Sequence, residues 1–323
     1  MENFLEKTQV GGRRMESVDQ FRGLAIISMI IVNFLACYRI IPGYLKHARG
    51  VGYTVADLVA PFFIFAIGLV YRKSFLNRVA RYGRKTAWIH IVRRYLLLLA
   101  LGFFGTWIAG GGISFEWGVL QAIGAAGLIT LLFIEWGFWK RITVALFLLA
   151  LYQLLIFPSL GGVITIAKHG GIWATISWGA MLLLATAAGD LIDVGEFWTR
   201  SGKLAIFGLI LCLAGFINLK TVPISKMEVN SSYCLVSTGL SAVAFNAFFI
   251  FNDKFRLGIP ALNVLGKNAL FIYVIHYILI QIVHRLIPSN ADLLLVTSGA
   301  VAISAFCYGL AWYMDFKKLY LRF

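Results

Sequence analysis

The sequence predicts an all-α integral membrane protein of about ten transmembrane helices with both termini cytoplasmic. Three observations carry that expectation. Of 323 residues, 60% are apolar and only 13% charged, against roughly 45–50% and about 25% in an average soluble domain. The apolar residues come in continuous runs close to the ~20 residues a helix needs to cross hydrocarbon, without the alternation of a barrel strand. The cations are distributed unevenly between those runs. An aromatic content of 15% and only six prolines exclude a disordered chain, and no collagen-like G-x-y period is present.

Taken in order, the runs fall near 21–41, 54–71, 94–112, 117–136 and 142–158, then 172–192, 204–218, 232–251, 269–287 and 293–314. The first opens on Ser17 and Gln20, spaced as a capping box, with Asp19 facing the positive helix end. The second opens on Thr54 and Asp57, which form another local cap. Around the third and fourth, Gly102, Gly105, Gly110, Gly111 and Gly112 mark a helix break or a close helix contact. Threading ten spans from an inner N-terminus leaves Arg39, Lys46, Arg49, Lys168, Lys220, Lys226 and Arg285 outside and the remaining 22 of 29 cations inside, the asymmetry of a positive-inside protein. The division is a polar cytoplasmic segment at 1–16, one membrane domain at 17–316 and a cytoplasmic tail at 317–323. No cleavable leader is expected, because the first twenty residues are polar, and no internal repeat is visible.

A formal net charge of +15 invites a nucleic-acid reading. The cations, however, lie in short gaps between apolar runs rather than on a solvated domain, so lipid headgroups or a soluble anionic cofactor fit better. The four cysteines sit in or beside apolar runs without Cys-x-x-Cys spacing and read as small buried hydrophobes.

The candidate chemistry concentrates in 17–68. Arg22, at the cytoplasmic edge of an apolar helix, either snorkels or binds phosphate. Asn33 is an amide deep in the first span, where binding a neighbouring helix is the plain explanation. His47 lies in the following outer connection, and Asp57 begins the second span. A short connection can bring amide, imidazole and carboxylate to one outer cavity. There the imidazole would transfer protons or carry an acyl group, the acid would orient it, and the amide would polarise a carbonyl. Further on, His276 is central in its span and needs a partner, while His284, two turns later, lies nearer the outer interface. Lys267 and Asn268 at the inner end of that span cap it or meet an anionic ligand. No H-E-x-x-H, Walker loop, nucleophile elbow or Rossmann fingerprint occurs, and no metal is expected.

The segments "SVDQFRG", "MIIVN" and "LKHARGVGYTVADLVAPFFIFAIG" are followed in order by "GVLQAIG", "GGIWATISWG", "PISKMEVNSSY" and "LGKNALFIYVIH". In this ordered set the chain resembles the transmembrane acyltransferase family that includes heparan-α-glucosaminide N-acetyltransferase. The resemblance implies an enzyme that takes acetyl-CoA from the cytoplasm and acetylates an amino sugar or glycan on the opposite face. It places the family's functional His at His47 and its Asn at Asn33, with Asp57 matching the acid of "TVAD". CoA would dock at the inner mouth among Arg22, Lys267, Asn268 and His276. The expected setting is the plasma membrane of a prokaryote, with membrane lipids as further partners, no nucleic acid, and a homodimer as an open option. A transporter for an acylated or anionic small molecule, and an O-acyltransferase acting on a lipid or polysaccharide, are the competing readings.

Overall fold

The computed structural model describes residues 15–110 and 116–320; the expectations for Lys7, Arg13, Arg14, Gly111, Gly112 and Arg322 fall outside the described residues. The described chain is helical throughout. Helix α1 is Glu16–Leu35. A connection containing two short 3-10 turns, Gly43–Leu45 and Val55–Leu58, leads to α2 at Val59–Tyr82. Gly83 reverses the chain at φ +82°, a conformation that costs glycine little, and α3 at Arg84–Gly110 follows immediately. Then come α4 Val119–Phe133, α5 Phe138–Leu151 and, after a π turn at Tyr152–Ile156, α6 Phe157–Ile166. Helices α7 Thr175–Leu191, α8 Phe197–Asn218 and α9 Ser231–Phe249 continue the bundle. The eight-residue α10 Pro260–Lys267, α11 Ala269–Leu286 and α12 Leu293–Phe316 complete it.

Each of the ten apolar runs corresponds to a helix, but the span count is smaller. Among the described residues, seven helices are long and apolar enough to cross a membrane, and an eighth results if the pair at 138–154 and 157–164, bent by 75°, is one span. Helices α4 and α7 have 15 and 17 residues, about 22 and 26 Å at 1.5 Å per residue against a ~30 Å hydrocarbon core. Helix α7 is the axis of the bundle. Every residue from Ser177 to Gly189 is buried, so this helix is surrounded by protein rather than lipid.

Lipid does not squeeze apolar helices together as water does, so close packing of small residues has to hold them. A methyl at Gly68 would come within 2.3 Å of the Ala185 Cβ, and one at Gly189 within 2.4 Å of the Leu69 carbonyl oxygen, which shows how closely α2 lies on α7. Gly208 and Gly215 of α8 meet Gly239 and Val236 of α9 in the same way. Within the glycine-rich stretch, Gly102 lies against Gln121 in a close helix contact, whereas Gly105 has nothing within 4 Å; beyond it, Gly127 lies against the Tyr95 ring.

Hydrogen bonds sort the connections into two ends. At one, Arg39 N–H donates to the Ser289 carbonyl and Gly52 N–H to the Ile224 carbonyl, both at 2.9 Å. At the other, Lys73 pairs with Asp193 at 2.5 Å, Arg84 with Glu135 at 2.7 Å and Lys267 with Asp315 at 3.0 Å. The fully buried Arg141 is the anchor of this second end. It pairs with Asp190, which also accepts from Arg72 at 3.3 Å, and it donates to Thr186 Oγ1 at 2.7 Å and the Trp136 carbonyl at 3.0 Å.

The expected cap at Ser17 and Gln20 is not formed. Helix α1 begins two residues earlier than a Ser17 cap requires, with Met15 at its N-cap, and the Gln20 Oε1 accepts from Ile259 N–H at 2.8 Å, because α10 packs against the start of α1. Cys212, Cys234 and Cys307 are buried as expected, whereas Cys37 is exposed.

Candidate active site and basic cavity

Asp57 is fully buried, and its two oxygens have separate tasks. Oδ2 accepts from Thr54 N–H at 2.9 Å and Ala48 N–H at 3.3 Å. This fulfils the expected Thr54–Asp57 cap and folds the 46–58 connection back on itself. Thr54 Oγ1 tightens the loop by donating to the Lys46 carbonyl at 2.7 Å. Oδ1 lies 2.9 Å from the His47 Nδ1. An ionised carboxylate only accepts, so Nδ1 carries the proton of the neutral ring and Nε2 carries the lone pair. Nε2 has no hydrogen-bond partner among the described residues, and the His47 side chain is 36% exposed. A base or nucleophile held in one tautomer, with its free nitrogen accessible, is what the arrangement offers.

Below this pair lies a residue that the sequence reading left unassigned. Lys226, between α8 and α9, is buried and places Nζ 3.8 Å from Asp57 Oδ1. Burial pushes its ammonium down to about 8, with Asp57 pulling it back up. The surrounding segment is well tied. Asn230 caps α9 by accepting from Tyr233 N–H at 3.1 Å and donates to the Pro223 carbonyl at 2.7 Å. Tyr233 Oη donates to the Asp57 backbone carbonyl at 2.9 Å, and the Tyr53 and Ser237 hydroxyls are 2.9 Å apart. The only sequence signal was the motif "PISKMEVNSSY" itself. Nothing local distinguishes its lysine from an ordinary loop cation.

Asn33 makes its side-chain contact elsewhere. Its Nδ2 lies 3.2 Å from His276 Nε2, and His276 Nδ1 lies 3.2 Å from the Ile272 carbonyl. The carbonyl fixes the ring proton on Nδ1, so Nε2 accepts from the amide. His284 lies on the same face, with Nε2 3.0 Å from the Phe34 carbonyl and 3.3 Å from Cys37 Sγ. The two histidines therefore share a face, as their spacing implied, and both dock α11 onto α1.

The opposite end holds a cavity of about 590 Å³ between α1, α2 and α3, lined by Asp19, Arg22, Lys73, Ser74, Asn77, Arg78, Arg81, Arg94 and several apolar residues. Arg22 donates to the Asp19 carboxylate and the Ala66 carbonyl, each at 3.4 Å, and Lys73 is paired with Asp193. Arg78, Arg81 and Arg94 have no carboxylate partner among the described residues. Three guanidiniums facing one cavity repel each other, and a polyanion relieves that repulsion. The other expected ligand-binding residues are not there. Lys267 is held by Asp315, Asn268 Nδ2 donates to the Ala311 carbonyl at 3.4 Å, and His276 is held by Asn33. The cavity residues recur on α2 at helical spacing, Lys73–Asn77–Arg81 and Ser74–Arg78, a signal that was legible but unused.

The two sites are about 20 Å apart along α1, from Arg22 to its C-terminal end. Among the described residues, no group of three or more His, Cys, Asp or Glu converges as a metal site would need.

Comparison with known proteins bears on this arrangement. Residues 14–163 match a family model described as heparan-alpha-glucosaminide N-acetyltransferase, catalytic. The chain is similar to the heparan-alpha-glucosaminide N-acetyltransferase of Mus musculus, with 32% identity over 144 residues, 42% of this chain and 21% of the mouse protein. It is similar to that of Homo sapiens, with 40% identity over 95 residues, 28% of this chain and 13% of the human protein. The chain thus spans about a fifth or less of the curated relatives it matches. The matched region contains Arg22, Asn33, His47, Asp57 and the cations of the basic cavity, but not Lys226 or His276.

Proposed function

We propose that the chain, whose residues 14–163 match the heparan-alpha-glucosaminide N-acetyltransferase catalytic model, belongs to that family and is a membrane-embedded acetyltransferase moving acetyl from cytoplasmic acetyl-CoA to the amine of an extracytoplasmic amino sugar. The observation that carries this reading is the His47–Asp57 pair, whose geometry leaves the Nε2 lone pair accessible.

The CoA phosphates bind in the basic cavity, where Arg78, Arg81 and Arg94 supply charge-assisted donors. That end faces the cytoplasm, in keeping with its excess of cations. The thioester arm reaches between the helices toward the other end. The acceptor nitrogen attacks the thioester carbonyl carbon, the new C–N bond forms and the C–S bond breaks. His47 Nε2 takes the proton lost by the amine and returns it to the departing thiolate. The same lone pair also serves a two-step route, in which acetyl rests on Nε2 before the amine removes it. Asp57 stabilises the imidazolium in the first route and the acylated ring in the second. Asn33 lines the way on α1, with its amide oriented by His276.

Two mouths solve a solvation problem. A polyphosphorylated donor and a cationic sugar would each be desolvated at high cost in hydrocarbon, and neither has to cross it if each stops at its own end. Labelled acetyl-CoA and a panel of amino sugars, with product mass spectrometry, test the reading. N-acetyl product that disappears in His47→Ala supports it. Uptake of an intact anion without acetyl turnover supports a transporter instead, and product labile to mild alkali supports O-acylation.

A further inference from the structure

We propose that Lys226 is a positioning residue for the His47–Asp57 pair: its buried ammonium keeps the carboxylate ionised and opposes a second proton on the imidazole. The proposal rests on the reading of His47 as the acting group.

Position and environment support it. Lys226 Nζ is 3.8 Å from the same Asp57 oxygen that lies 2.9 Å from His47 Nδ1, so ammonium and imidazole are within about 7 Å. The lysine is 7% exposed, which denies its charge most of the screening a surface lysine receives. Its segment is locked to the catalytic connection. Gly52 and Ser225 form an isolated parallel bridge, Gly52 N–H donates to the Ile224 carbonyl at 2.9 Å, and Gly50 N–H points at the Met227 sulfur at 3.4 Å. A loop lysine with no task would extend its amine to water. This one is turned inward onto the carboxylate that, among the described residues, holds His47.

Other titratable groups of the same elements are occupied. Lys46 Nζ donates to the Tyr38 carbonyl at 2.6 Å, and Glu228 accepts from Asn230 at 3.2 Å. The Tyr53 and Tyr233 hydroxyls are bound to Ser237 and to the Asp57 carbonyl, and Cys234 Sγ lies 3.5 Å from the Val229 carbonyl. Arg49 is exposed. Burial holds the Tyr53 phenol above its ordinary value, so it keeps its proton across the neutral range. Lys226, pushed down to about 8 by burial, is the cation placed to change state just above neutrality.

The test is the rate at which diethylpyrocarbonate modifies His47, read by peptide mass spectrometry against pH on the purified full chain. Only the unprotonated ring reacts, and no acceptor is needed. In Lys226→Met, the pH of half-maximal reactivity should rise by about 1.7 units, as expected for removing a cation within about 7 Å at an effective dielectric near 20. Lys226→Arg should follow the unaltered chain through the acid limb. Superimposed profiles for the unaltered chain and Lys226→Met overturn the proposal. If Lys226→Met does not fold, superimposed acid limbs for the unaltered chain and Lys226→Gln overturn it equally. Acetyl transfer that survives in His47→Ala would overturn the catalytic reading instead, a separate result.

Discussion

Asp57→Asn tests the imidazole geometry more sharply than removal of the imidazole does. The buried carboxylate takes two backbone N–H groups on Oδ2 and the His47 Nδ1–H on Oδ1. An amide in its place has one acceptor and one donor. The Thr54 and Ala48 N–H groups require the acceptor on their side, which leaves the amide NH₂ facing His47. The ring must then shift its proton to Nε2, and the lone pair needed for chemistry turns away from the acceptor. A comparable tautomer swap in the Ser-His-Asp triad lowers kcat by about 10⁴, and a loss of about 10³–10⁴ in kcat with little change in KM is expected here. The same substitution leaves Lys226 buried without its counter-charge, which costs about 3–5 kcal/mol. Thermal unfolding of the detergent-solubilised protein should report that cost. Adding Lys226→Met to Asp57→Asn should recover most of the stability and none of the rate. If Asp57→Asn retained more than about a tenth of the activity, tautomer control would be refuted.

Two further expectations follow from packing and charge. Replacing Arg78 or Arg94 by Met should raise KM for acetyl-CoA by about 10–100-fold, the worth of one lost charge-assisted hydrogen bond, with kcat nearly unchanged. Lys267→Met, which removes a partner of Asp315 far from the cavity, should leave that KM unaltered in steady-state assays. Gly266→Ala would place a methyl 1.7 Å from the Asp19 carbonyl oxygen, so α10 must lift off α1. A loss of about 1–3 kcal/mol is expected by thermal unfolding, whereas Gly309→Ala, with nothing within 4 Å, should not destabilise.

The helices were legible because hydrocarbon demands long apolar runs, and each run became a helix. Their span count was less legible, since the burial of α7 depends on what surrounds it rather than on its own composition. His47 and Asp57 were legible as a pair because the Thr54–Asp57 cap is local and closes the connection between them. Partners distant in sequence were not. Lys226 reaches Asp57 only after the 219–230 connection docks on the 46–58 loop, and Lys267 is neutralised by an aspartate 48 residues away. Asn33 had an obvious need for a partner, but nothing near it in sequence identified His276 as that partner. The basic cavity is an intermediate case. Its α2 residues follow helical spacing, yet their convergence with Arg22 and Arg94 depends on how three helices pack.

The most direct test of the proposed transfer uses proteoliposomes in which labelled acetyl-CoA is supplied on the side of the basic cavity and an amino sugar on the side of His47. Labelled N-acetyl sugar should accumulate on the His47 side with the unaltered chain, and fall by at least about 10³ with His47→Ala. Equal accumulation with His47→Ala would contradict the central assignment.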